Sequence, residues 1–199
     1  MLVYSQVTFH DLRDRFGIHV ETEAFLPNVV EPLRLPQWLV GYLAVNRLSP
    51  ALAKSGKAVS EMLIAPVLSA VKEYNADKIS LFSGESLTMP GELSGICDFI
   101  LATNPKAFLP ESPIMVLVEA KKQDLYGGIP QCVAEMLAAR SVNEQAGTPT
   151  ERIFGCVTTG NEWVFLQLKG QRAITDPTIF YYPNLDRVLG VFHWLIGQF

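Results

Sequence analysis

The chain has 199 residues, enough for one domain with a substantial core. Hydrophobic residues make up 49% and charged residues 18%, which excludes an intrinsically disordered chain. A net charge of -4 and a pI of about 5.4 exclude a general polyanion coat or basic scaffold. They leave open a nucleic-acid enzyme whose acidic site is offset by bound metal ions.

The opening stretch MLVYSQVTFHDLRDRFG has no basic leader and meets charge by Asp11, so no secretory signal is expected. Thr8-Phe9-His10-Asp11 has the spacing of a helix N-cap. It predicts a short helix through Arg15, stopped by Gly17. Residues 18–35 read as an extended segment punctuated by prolines. Pro36 opens a second helix with Trp38, Leu39, Tyr42 and Leu43 on one face. The apolar run 38–45 is too short to span a bilayer, and a soluble protein with no membrane partner is expected.

In SEMLIAPVLSAVKEY, residues 60–74, Leu63, Ile64, Val67, Leu68 and Val71 form one helical stripe. Pro66 interrupts it, at a cost of about 3 kcal/mol in a regular helix. The helix therefore either kinks at Pro66 or begins its regular part there, and Glu61 falls at an irregular helix start. Three strands follow: 79–87, 96–102 with Asp98, and 114–120, which is apolar enough to be central. Pro130 opens a helix through Arg140. Segments 152–158 and 163–168 form a hairpin, 178–182 adds an edge strand, and 185–196 forms a closing helix.

This order predicts a single α/β domain over 1–199. It has an N-terminal extension at 1–57, a core at 58–169, and a C-terminal strand and helix at 170–199. Cys97, Cys132 and Cys156 are odd in number and form no CxxC pair. They read as buried small hydrophobes in a reducing, cytoplasmic compartment. His10, His19 and His193 lack ligand spacing, which disfavours catalytic zinc and a Ser-His triad.

The most informative stretch is Ile114 to Lys122, IMVLVEAKK, an apolar strand ending in charge. Side chains at i and i+2 share a face, so Glu119 and Lys121 point one way and Ala120 the other. If the second strand pairs with the third, Asp98 faces Glu119. Two close carboxylates repel, and a divalent cation reverses that cost. Mg²⁺ (or Mn²⁺) takes oxygen ligands from one or two carboxylates and keeps several waters. Lys121 then either orients or deprotonates an attacking water, or stabilises charge on the transition state. Glu119 and Lys121 are expected to be at least partly solvent-facing.

Asp98 followed by Glu119-Ala120-Lys121 resembles the PD-(D/E)XK nuclease superfamily. The resemblance covers about half the chain, from Ser60 to Leu168. It implies a restriction-endonuclease-like three-layer sandwich with a mixed sheet flanked by helices and an αβββαβ core. Glu61 resembles the acid on the first core helix, especially in restriction-type subunits. Gln131 occupies the place of a glutamine early in the second core helix. By this resemblance Glu61, Asp98 and Glu119 hold metal, and Lys121 assists catalysis with Gln131 beside it. The pattern departs in two places: no Pro precedes Asp98, and Glu135 stands where exonuclease-like members have tyrosine. The expected function is a metal-dependent nuclease acting on nucleic acid, DNA first, as a homodimer or with a partner protein. The alternative is a catalytically inactive nuclease-fold protein serving as a nucleic-acid-binding or scaffold subunit. Glu85, near the turn after the first strand, is the substitute ligand if Glu61 fails.

Overall fold

Thr8 caps the first helix as its spacing predicts. Its Oγ1 accepts the Asp11 N–H at 3.2 Å, and the Asp11 carboxylate accepts the Thr8 N–H at 3.0 Å. This helix, α1, spans Phe9–Phe16 and stops at Gly17, whose φ of 65° lies in the left-handed region that glycine tolerates. The structure is a computed structural model and describes all 199 residues.

Further helices are α2 (Gln37–Asn46), α3 (Ala51–Lys54), α4 (Gly56–Val59), α5 (Ala65–Tyr74), α6 (Ile129–Gln145) and α7 (Leu185–Ile196). The strands are β1 (Leu2–Val3), β2 (His19–Thr22), β3 (Ile79–Met89), β4 (Leu93–Thr103), β5 (Glu111–Ala120), β6 (Arg152–Thr158), β7 (Glu162–Lys169) and β8 (Arg172–Tyr181). They form one mixed sheet in the order β1-β4-β5-β6-β7-β8-β2, with β3 also paired to β4. β5 and β6 run parallel, so the chain must cross over between them, and α6 is that crossover. No helix is long and apolar enough to cross a membrane.

Alternation along the central strands divides the core in two. Leu101, Val116, Val118 and Phe154 pack with α5 and α7 on one face. Ile100, Leu117, Val157 and Leu166 pack with α6 and α1 on the other. Helices therefore cover both faces of the sheet. Cys97, Cys132 and Cys156 are free and buried.

The Pro66 conflict is resolved by a wide turn. Residues Ser60–Ile64 form a π-helical turn between α4 and α5, and Pro66 sits in the first turn of α5. The helix runs on without a break through this turn, where the Ala65 N–H reaches back five residues to the Ser60 carbonyl, and the widening accommodates the proline that follows. Two expectations change at the C-terminal end. β8 begins at Arg172, well before 178, and it is not an edge, because β2 pairs along it. Asp176 and Pro177 break the apolar signal there. The buried Asp176 carboxylate accepts the N–H groups of Phe25 and Leu26, both at 3.0 Å, and so ties the N-terminal segment to this strand. The N-terminal extension is thus part of the sheet through β1 and β2.

Helix α6 lies on the sheet at close range over Gly155. A side chain there would meet Met136 Sδ at 2.7 Å and Cys132 Sγ at 2.8 Å. Gly155→Val should therefore destabilise the fold by about 1–3 kcal/mol. Urea unfolding with an unchanged midpoint would show that the helix can lift away freely.

Candidate active site

β4 and β5 pair only as far as Phe99 and Val118. One more step of that register sets Asp98 opposite Glu119. The ladder does not take that step. Asp98 Oδ2 instead accepts the Ala120 N–H at 2.8 Å, so a carboxylate replaces a main-chain carbonyl. The β1 strand takes up the β4 edge again only at Leu93 and Ser94. On the other edge, Gly84 stands across from Asp98 with φ of 73°, and regular pairing is interrupted there too. Asp98 therefore lies where the sheet opens.

Glu119 and Lys121 share a face, as strand periodicity requires, and that face looks toward α6. Lys121 Nζ lies 2.7 Å from Glu119 Oε1 and donates to Gln131 Oε1 at 2.8 Å. Gln131 Nε2 in turn donates to Glu135 Oε1 at 3.3 Å. Gln131 and Glu135 are one helical turn apart and so face the strand together. The stem of Lys121 passes over Gly128, where a Cβ would lie 3.0 Å from Lys121 Cγ.

Two carboxylates in this cluster are out of contact with solvent. Glu119 is 2% exposed and Glu135 fully buried. Burial pushes the Glu119 carboxyl up to about 7, and the negative charge of Asp98 pushes the same way. The Lys121 ammonium opposes both. Burial and the neighbouring Glu119 push Glu135 well above the carboxylate range. Glu119 Oε2 and Glu135 Oε2 are both buried without a hydrogen-bond partner. Of the two, Glu135 is held in the neutral form the more strongly, because full burial and the charge of Glu119 both act against its ionisation.

The position of α6 over this site is set at its far end. Ile114 N–H donates to Asn143 Oδ1 at 2.8 Å, and Asn143 Nδ2 donates back to the Ile114 carbonyl at 3.0 Å. The buried amide acts as a two-bond clip between helix and strand. Twelve residues earlier, about 18 Å along the helix, Gln131 reaches Lys121.

Of the residues singled out in the sequence, the fold brings together Asp98, Glu119, Lys121 and Gln131. It does not bring Glu61 to them. That side chain is exposed, and its ion-pair partner is Lys57 at 3.7 Å. The wide turn carries Leu63 inward against Gly160 and leaves Glu61 on the outer side. No three His, Cys, Asp or Glu side chains converge closely enough to form a metal cage. Glu119 is not solvent-facing as expected, because α6 closes over the strand end. The sequence reading noted Glu135 only as a departure from the family pattern and did not single out Asn143. Glu135 stands in the apolar run CVAEMLAA, where a lone acid signals a buried partner. Asn143 looks like an ordinary polar residue near a helix end. Protein-family models do not match this chain, and a search of curated proteins finds no match either.

The raised carboxyls of Glu119 and Glu135 make stability depend on pH. Glu119 and Glu135 both bind protons more tightly folded than unfolded, where the carboxyl value is about 4.5. Their contribution is therefore full below about 4.5 and declines as pH rises, for Glu119 through about 7. The Glu119 share of this loss is on the order of 3 kcal/mol. Thermal unfolding across this window should show stability falling with pH, and Glu119→Gln should make the slope shallower. An unchanged slope would mean that Glu119 ionises as it does in the unfolded chain.

Proposed function

We propose that this chain is a Mg²⁺- or Mn²⁺-dependent nuclease with a restriction-endonuclease-like fold, hydrolysing phosphodiester bonds in DNA. The carrying observation is the meeting of Asp98, Glu119 and Lys121 at the opened ends of β4 and β5. The mixed sheet with helices on both faces agrees with this reading.

The residues present fit a divalent cation of the magnesium type. Such an ion needs only one or two protein carboxylates, and Glu119 keeps one oxygen with no cationic partner. Asp98 and Glu119 are the residues to hold it, with Asp98 using the oxygen not engaged by Ala120. When bound, the ion would polarise the phosphate and lower the pKa of a coordinated water. Lys121 places an ammonium beside the carboxylates, where it can orient the attacking water and offset charge building on the phosphoryl oxygens. Gln131 fixes the Lys121 Nζ from the helix side, and its own amide N–H is taken by Glu135. Glu61, being exposed and paired with Lys57, has no part in this arrangement.

The depth of Glu119 favours one other reading, an inactive nuclease-fold subunit that binds nucleic acid without cutting it. In that case the Lys121–Glu119 pair is a closed structural contact. One assay separates the two. Labelled duplex, single-stranded, nicked and branched DNA, and RNA, are incubated with Mn²⁺ or with EDTA. Cutting should require the metal, and Lys121→Ala should lower its rate by about 100-fold or more. Mn²⁺ at a hundredfold excess over Kd should also raise the Tm by about 5 °C or more, and Asp98→Ala should abolish that rise. Absence of both cutting and the metal-induced shift would establish the inactive reading.

A further inference from the structure

Lys122 points to the opposite face of β5 from Lys121, and what surrounds it is a groove rather than a packed layer. Its Cβ lies beside the start of α4, where a Cβ on Gly56 would sit 3.7 Å away. Two adjoining cavities of about 370 and 480 Å³ open there, and both are bordered by Arg47, Lys122, Thr159 and Asn161. The inner cavity has an apolar floor from Val59 and Leu63. The outer one is walled by Tyr181 and Tyr182.

These parts come from segments distant in sequence and are held in place locally. Arg47 follows the last turn of α2, with its N–H on the Leu43 carbonyl at 3.0 Å. Its guanidinium sits 3.6 Å from the ring centre of Tyr182. The Tyr182 N–H is held by the Asn161 carbonyl at 2.8 Å, which joins the end of β8 to the β6–β7 turn. Neither Arg47 nor Lys122 takes part in an ion pair, and one carboxylate, Glu162 opposite Tyr181 in the ladder, borders the outer cavity, so cations outnumber acids in the groove two to one. Tyr181 is 49% exposed beside them.

We infer that this groove binds unpaired nucleotides of a nucleic-acid strand leading to the Asp98–Glu119–Lys121 site. Arg47 and Lys122 contact its phosphates, and Tyr181 stacks on a base. The inference rests on the nuclease reading for its direction toward the site. Its chemistry stands on the groove itself. Two free cations neutralise successive phosphates of one strand, and an exposed ring beside them is the platform that single strands use. Cavities of this volume accept single small ligands, whereas a double helix needs a far wider channel. Sequential position supports the link, since Lys122 follows Lys121 directly and Lys121 N–H bonds the Thr158 carbonyl next to Thr159 of the groove.

The test separates the groove from the chemistry. Fluorescence anisotropy of the full chain in EDTA would use a labelled single-stranded DNA, the RNA of the same sequence, and the blunt DNA duplex. Single strands should bind more tightly than the duplex. Arg47→Ala and Lys122→Ala should each weaken binding several-fold, and each should reduce the salt slope by about 0.7. Tyr181→Ala should weaken it by about fivefold or more with no change in that slope. Lys106→Ala, in the loop at the opposite end of β5, should leave binding unchanged. All three groove residues are exposed, so the variants should melt as the wild type does. Tighter duplex binding, or groove variants that bind as the wild type, would overturn the inference even if Mn²⁺-dependent cutting is present. Groove binding in EDTA with no cutting in Mn²⁺ would support it and remove the nuclease reading instead.

Discussion

A carboxylate at the end of a buried strand has to be compensated, and Glu119 is that carboxylate. It reaches the strand end with almost no contact with water. Ionised and alone there, it would cost several kcal/mol. Two groups offset that cost: the Lys121 ammonium at 2.7 Å and the Gln131 amide that holds the ammonium. The second of these stands on α6 and requires the helix to lie where it does. The helix position thus serves this electrostatic demand along with apolar packing. Asn143 clips the helix to the beginning of β5, and Gly155 and Gly128 allow its close approach.

The same strand end serves two faces because consecutive side chains alternate. Lys121 turns toward α6 and its hydrogen-bonded network, and Lys122 turns toward α4 and an open groove. The paired lysine carries the chemistry proposed for the site. The unpaired one meets Arg47, some 75 residues away in the chain. A chain of net charge -4 can thus present a local cationic surface without any cluster of basic residues in its sequence.

The wide turn at Ser60–Ile64 shows a different balance. Pro66 forbids a regular helix through this segment, and the chain responds with one π-helical turn before α5. That turn sets which side chains face the sheet. Leu63 packs against the left-handed Gly160 of the β6–β7 turn, and Glu61 is left outside, paired with Lys57. The acids at the opened strand ends are thus Asp98 and Glu119 from the sheet, with none from this helix.

The sequence by itself determined what depends on neighbours in the chain. The Thr8 cap, the strands around Asp98 and Glu119, the 185–196 helix and the common face of Glu119 and Lys121 follow from periods of 3.6 and 2 and from turn chemistry. The tertiary structure alone decided what depends on register and packing. It buried Glu119 and Glu135, excluded Glu61, covered β8 with β2 and gathered Arg47, Lys122 and the tyrosines into one groove. The physical reason is that desolvation and long-range electrostatics act between elements that the local pattern places no closer than chance. A glutamate at a strand end looks the same in sequence whether water or a second carboxyl group lies above it.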